Sequence, residues 1–214
     1  LSGSSLRPAE GAPVLPVMTV HDAWRDSAYR ASIASAFANG WANFGVRAAI
    51  LPLFAAVVIG KEPWVAGMAL AVFAAGNAVG LTVAGRMSDR LGRRPFIIGG
   101  LLVSGVATAV TGFATDLPTL VVLSVVAGFG AGALNPAQQA SLADVVGRER
   151  NGGPALAAFQ MSADTGAIIG PILAGLLIDY GSYPLAFGTT GLITLLAVIP
   201  WLRARETHEV TRAS

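Results

Sequence analysis

Hydrophobic residues in this chain gather into six long, almost uncharged runs separated by short polar stretches. The runs are Ser32–Gly60, Trp64–Ala84, Pro95–Phe113, Leu117–Val145, Gly153–Tyr180 and Pro184–Leu202. About 20 helical residues at ~1.5 Å each cross a hydrocarbon core about 30 Å thick, and every run is near or above that length. Six such runs in succession predict an all-α membrane protein, a six-transmembrane-helix bundle over 32–202, rather than the buried helices of a soluble domain. Pro63, Pro95, Pro118 and Pro184 stand at or near the starts of runs, where a missing N–H costs nothing. Pro52, Pro136 and Pro171 fall inside runs, as membrane helices tolerate when neighbours re-satisfy the freed carbonyls. Residues 1–31 read as a polar cytoplasmic lead, flexible at first and then a short interfacial helix from His21 to Arg30. Residues 203–214 read as a cytoplasmic tail.

Charge orients the bundle. All of the 14 basic residues except Arg47 and Lys61 lie in the lead, in the second-to-third and fourth-to-fifth turns, or in the tail. With six crossings these segments share one side, and the positive-inside rule makes that side cytoplasmic, with both termini there and the chain multi-pass in a plasma (inner) membrane. Only 12% of residues are charged, about half the share in soluble domains. The chain has no cysteine, which excludes disulfides, Fe–S clusters and thiol-bound zinc. His21 and His208 lie in the polar ends and read as solvated residues, so neither metal nor cofactor is expected. Gly128-Phe129-Gly130-Ala131-Gly132 follows no strand, and Gly60-Lys61 lacks the rest of a phosphate-binding loop, so nucleotide chemistry is unsupported and no enzyme is expected. The basic turn is tied to the bilayer by its flanking runs, so no nucleic-acid partner is expected.

Polar residues within the runs are the candidates for function. Arg47 in the first and Asp164 in the fifth carry charge into the membrane, where each costs about 2.5–3.5 kcal/mol and so faces a cavity or a partner. Asn43, Asn135 and Gln160 join them as candidate cavity residues, with Asn39, Asn77, Gln138 and Gln139 at similar depth. Glycines at four-residue spacing mark close helix packing in the second run (Gly76, Gly80), the fourth (Gly128, Gly132) and the fifth (Gly166, Gly170).

The stretch Gly85-Arg86-Met87-Ser88-Asp89-Arg90-Leu91-Gly92-Arg93-Arg94 resembles the loop between the second and third helices of each half of a major facilitator superfamily transporter. The stretch from Gly166 through Gly170, Pro171, Ala174 and Gly175 is similar to the glycine–proline motif of that superfamily's antiporter branches, with Ala174 in place of one glycine. The resemblance runs from about Tyr29 to Thr207. It implies one six-helix half of a twelve-helix secondary transporter. The polar lead, like a central cytoplasmic loop, and Ser124, where first halves carry an Arg, favour the C-terminal half. It further implies alternating-access transport of a small organic solute, with protons as the coupling ion, export as the direction, and a complementary six-helix half as partner. The alternatives are a homodimeric six-span transporter and a non-transporting membrane scaffold or assembly subunit. In the family the basic motif is a cytoplasmic latch. Carried over, Gly85 permits close approach, Asp89 is an acceptor, Gly92 belongs to the turn, and Arg90, Arg93 and Arg94 seek acids, with Asp144 the partner of Arg90 or Arg93. Gly166, Gly170, Pro171 and Gly175 are implied in helix packing.

Overall fold

The computed structural model describes residues 15–59, 62–147 and 150–207. Arg7, Gly60, Lys61, Arg148, His208 and Arg212, together with the rest of residues 1–14 of the lead and the end of the tail, lie outside the described residues. Among the described residues six helices are long and apolar enough to cross a membrane. The first span is Ser27–Ile59. The second is Pro63–Leu91, the third Arg94–Thr111, the fourth Leu117–Val146, the fifth Gly153–Asp179. The sixth span is Tyr183–Arg203.

Local chemistry sets the ends. The first span begins five residues before the apolar run because Asp26 caps it, accepting the Ala28 N–H at 2.9 Å. Its first turns are held inside by Tyr29, which is buried and donates to the Ala155 carbonyl at 2.9 Å. A short helix, Val20–Trp24, precedes it, closed by the reciprocal Thr19–Asp22 capping pair. Asp116 caps the fourth span through the Thr119 N–H. The basic stretch read from sequence as a turn is mostly helix: the second span continues through Leu91, and only Gly92 and Arg93 break it. Gly92 adopts φ of +94°, a backbone that side chains with a Cβ rarely take.

The first span is not uniform. It runs as a wide π-helix over Gly40–Arg47, returns to α-helix over Ala48–Phe54 despite Pro52, and widens again over Ala55–Ile59. Such wide turns in membrane helices accompany functional segments.

Packing follows the glycines. The second and fourth spans lie side by side with residue numbers rising together: Gly76 meets Val125 and Phe129, Gly80 meets Phe129 and Ala133, and Gly128 and Gly132 meet Phe73 and Asn77. Here backbone touches backbone, and a Cβ at Gly132 would overlap the Asn77 carbonyl. The first and fifth spans meet the same way at Gly40 and Gly166, with Gly170 close to Trp41 and the Pro171 ring against Gly45. Gly175 differs from the other glycines of this motif: among the described residues nothing lies within 4 Å of where its Cβ would be. The third span bridges the fourth and the sixth.

Trp201 anchors the C-terminal end of the sixth span. It is 1% exposed, packs with Ile97, Leu101 and Leu134, and donates its indole N–H to Ser35 Oγ at 3.0 Å. Trp201→Ala should lower stability by about 3–5 kcal/mol, as truncation of a buried aromatic does. Trp201→Phe, which keeps most of the packing and loses the hydrogen bond, should cost about 1 kcal/mol. Thermal unfolding of the detergent-solubilised chain checks the order; equal midpoints for the two variants would refute the anchoring role.

Candidate functional site

Two polar constellations stand out. One is a groove of about 440 Å³ between the first, fourth and fifth spans, lined by Asn39, Asn135, Gln138, Gln139, Gln160 and Asp164 among apolar residues that include Phe44 and Phe159. Its polar atoms are wired across helices. Asn43 Nδ2 donates to Asn39 Oδ1 at 2.7 Å, and Asn39 Nδ2 donates to Asn135 Oδ1 at 3.2 Å. Gln160 Nε2 donates to Asp164 Oδ1 at 2.8 Å, one turn along the fifth span. Beneath them Gln138 is buried and donates to the Ser32 carbonyl and Ser35 Oγ. Amide groups supply both donors and acceptors, and the exposed Asp164 carboxylate adds an acceptor, so the groove presents hydrogen-bonding groups of both kinds.

The structure therefore brings Asn43, Asn135, Gln160 and Asp164 together but sets Arg47 apart. Arg47 is 2% exposed and does not line the groove. One turn beyond Asn43 the first span is roofed by the second and third spans. There the guanidinium lies 4.2 Å from the Phe73 ring centroid and donates to Thr108 Oγ1 at 2.9 Å. Arg47 and Asp164 thus belong to different environments, although sequence places both at membrane depth.

The other constellation closes the end of the bundle that carries the basic motif. Arg93 pairs with the Asp144 carboxylate of the fourth span, and its other terminal nitrogen lies 4.0 Å from Asp89. Asp89 lies on the last helical turns of the second span and Arg93 beyond the break at Gly92, so the chain reversal there, not a helical turn, brings them near. Arg90 takes no part in these pairs, and Gly85 faces open space within this chain. Arg94 reaches the sixth span instead, donating from Nε to the Trp201 carbonyl at 2.8 Å and from a terminal nitrogen to the Leu202 carbonyl at 2.5 Å.

The residues after the sixth span complete the closure, and sequence reading missed them. Glu206 accepts the backbone N–H groups of Arg93 and Arg94 at 3.0 and 3.1 Å, satisfying donors at the start of the third span. The Glu206 carboxylate lies within 2.8 Å of where a Cβ at Gly92 would sit, so a side chain there would displace this contact in addition to straining the backbone. Arg205 holds Asp26 in a forked pair, with Nε 3.0 and 3.1 Å from its two oxygens, and this carboxylate raises the guanidinium pKa above its ordinary value. Thr207 Oγ1 lies 3.1 Å from Ser141 Oγ of the fourth span. The available signal was an acid and a base in Arg205-Glu206 just after the last apolar run, opposite an excess of arginine. Among the described residues no group of three or more His, Asp or Glu could hold a metal.

Comparison with known proteins places this architecture. The family model described as Major Facilitator Superfamily matches residues 33–214. An uncharacterized MFS-type transporter of Bacillus subtilis, YybF, is 28% identical over 165 residues, covering 76% of this chain and 41% of that protein. The multidrug resistance protein MdtG of Yersinia enterocolitica is 30% identical over 131 residues, covering 61% of this chain and 31% of that protein. A crystal structure of a mutant peptide transporter POT in complex with sulfate superposes with a TM-score of 0.72 at 18% identity, covering 93% of this chain and 43% of that one, and shows the shared fold. The chain thus spans less than half the length of the relatives it matches. These relatives are transporters rather than enzymes, and the six spans make the chain a multi-pass membrane protein. With its six-helix bundle, its glycine-lined helix contacts and its basic motif closing one end, this chain belongs to the major facilitator superfamily.

Proposed function

We propose that this chain is one six-helix half of a secondary transporter that exports a small organic solute in exchange for protons by alternating access, and that the groove between the first, fourth and fifth spans is its share of the solute path. The polar groove carries the reading. It is open on one side, holds an exposed carboxylate within the apolar part of the sequence, and lies between helices that a second half would cover. Coverage within the chain agrees: buried residues make up 22% and 17% of the membrane-length stretches of the second and fifth spans, against 44–50% for the other four. Two spans lacking neighbours on this scale fit a bundle that meets a complementary six-helix half along them. The name of the Yersinia relative, a multidrug resistance protein, supports export. In this reading Asp164 takes up and releases the proton, Gln160 holds its carboxylate in place, and the Asn43–Asn39–Asn135 chain contacts the solute. The arginine distribution supports an orientation with both termini in the cytoplasm of an inner membrane, and in this reading the Arg93–Asp144 pair acts as a cytoplasmic latch that holds one access state.

Co-expression with a complementary six-span half, followed by accumulation of a panel of fluorescent dyes in energised cells, tests the proposal. The paired halves should lower accumulation of at least one dye, a protonophore should restore it, and Asp164→Asn should abolish most of the export while leaving membrane insertion intact. Undiminished, protonophore-sensitive export by Asp164→Asn would remove the carboxylate from the proton path. Export by this chain alone would identify a homodimer instead.

A further inference from the structure

Four arginines crowd the end of the second span, and the structure divides them into two pairs with different employment. Arg93 and Arg94 turn inward, to Asp144 and to the carbonyls of Trp201 and Leu202. Arg86 and Arg90 are exposed and join none of the ion pairs formed among the described residues. They are four residues apart, so they share one flank of the helix.

Directly along the same helix lies a groove of about 280 Å³ between the second, third and fourth spans. Its lining includes Val83, Pro95, Phe96, Gly99, Val103 and Phe129, and no side chain in it carries a hydrogen-bonding group. Arg90 follows Val83 by seven residues, two helical turns, which places it on the same face about 10 Å nearer the helix end; Arg86 stands about 4.5 Å beyond Val83. Asp89 stands three residues from Arg86, but its ion pair among the described residues is with Arg93, 4.0 Å away. The apolar surface continues from the groove onto Val79, Leu102 and Val106, which are all exposed. This outer surface is separate from the polar groove between the first, fourth and fifth spans.

We propose that this groove seats an acyl chain of an anionic phospholipid, with the lipid phosphate held by Arg86 and Arg90. The order of chemistry along the helix matches such a molecule: two free guanidinium groups at the membrane surface, then a slot without polar groups at hydrocarbon depth. Guanidinium groups clasp phosphate oxygens in a fork, and their aliphatic stems let the charge rise to the headgroup level while the backbone stays in the membrane. A zwitterionic lipid supplies the same tail but brings its own ammonium, whereas an anionic headgroup answers the surplus positive charge of this corner.

Native mass spectrometry of the full chain in mild detergent, with phosphatidylglycerol or phosphatidylcholine of identical acyl chains added, tests the site. Phosphatidylglycerol should be retained several-fold more than phosphatidylcholine. Arg86→Gln/Arg90→Gln should erase that preference while leaving retention of phosphatidylcholine unchanged. Gly99→Leu should lower retention of both lipids: a Cβ at Gly99 meets nothing within 4 Å, so the new side chain enters the groove without displacing a helix. An unaltered thermal unfolding midpoint shows that each variant is folded; should Gly99→Leu lose its fold, the arginine pair alone decides. Glycerol phosphate added in excess separates the headgroup from the tail, and it should compete weakly because it leaves the groove empty. Equal retention of the two lipids by the wild-type chain, or a preference that survives loss of both arginines, would overturn the proposal.

Discussion

Gly132→Val should leave almost no correctly folded protein, whereas Gly175→Val in the next span should fold normally. Both glycines lie in membrane-spanning helices and both are candidates for close packing, Gly132 by its spacing from Gly128 and Gly175 by the motif that the fifth span resembles. Their surroundings differ in kind. A Cβ at Gly132 would overlap the carbonyl of Asn77, which is main chain and cannot rotate away, so the second and fourth spans would have to separate along their whole contact. The Gly76, Gly80 and Gly128 contacts in the same interface would open with it. Overpacking a well-filled interior costs about 1–3 kcal/mol, and more where backbone must move. A valine carries two methyl groups beyond that Cβ, so its cost belongs at or above the upper end. At Gly175 the same methyls meet open space. Fluorescence-detected size exclusion and thermal unfolding in detergent measure the contrast. A Gly132→Val variant as monodisperse and as stable as Gly175→Val would show that the glycine interface is not what holds these two spans together.

Charge reversal at Arg93 should be nearly as damaging to function, and reversal of its partner should repair it. The Arg93 side chain is 12% exposed and that of Asp144 30%, so the pair is shielded enough to matter and wet enough to be weaker than a fully buried one. Loss of a charge-assisted hydrogen bond of this kind costs about 1.5–3 kcal/mol, and Arg93→Glu adds repulsion between two carboxylates. In the complete transporter Arg93→Glu should abolish most transport while insertion is retained. Arg93→Glu/Asp144→Arg should recover a substantial part, because the Glu206 contacts to the backbone of residues 93 and 94 do not depend on either side chain. Arg90→Gln should transport normally, since Arg90 forms no pair with Asp144. A double reversal no better than the single one would mean that Arg93 acts on something other than Asp144.

These expectations differ in how far sequence alone reaches. Length, hydropathy and the arginine distribution delimit six spans, because the cost of charge in hydrocarbon leaves few other solutions. The ends move where polar atoms do structural work: Asp26 extends the first span backward by capping it, and helix-favouring residues carry the second span through Leu91 until Gly92 stops it. Asn135, Gln160 and Asp164 are visible as polar residues among apolar ones, yet their meeting in one groove depends on the rotation of three helices, which periodicity in an almost wholly apolar run does not encode. Arg47 shows the same limit from the other side. Its charge implies a cavity, but an aromatic ring and a hydroxyl meet it instead, and neither stands out in sequence. The Glu206 contacts depend on residues more than 110 positions apart and carry no periodic signal.

The contacts made after the sixth span have a consequence for how the protein is made. Asp26, at the entry to the first helix, waits for Arg205, and the start of the third helix waits for Glu206. Arg94 likewise has no carbonyls to hold until Trp201 and Leu202 exist. While the chain emerges from the ribosome, the earlier spans can enter the bilayer, pair along their glycines and form the Arg93–Asp144 pair, but this end of the bundle is not fully fastened until the last helix has crossed and residues through Thr207 have been released. Sealing of the domain is therefore a late event in its biosynthesis, reserved for chains that have been translated past the final span.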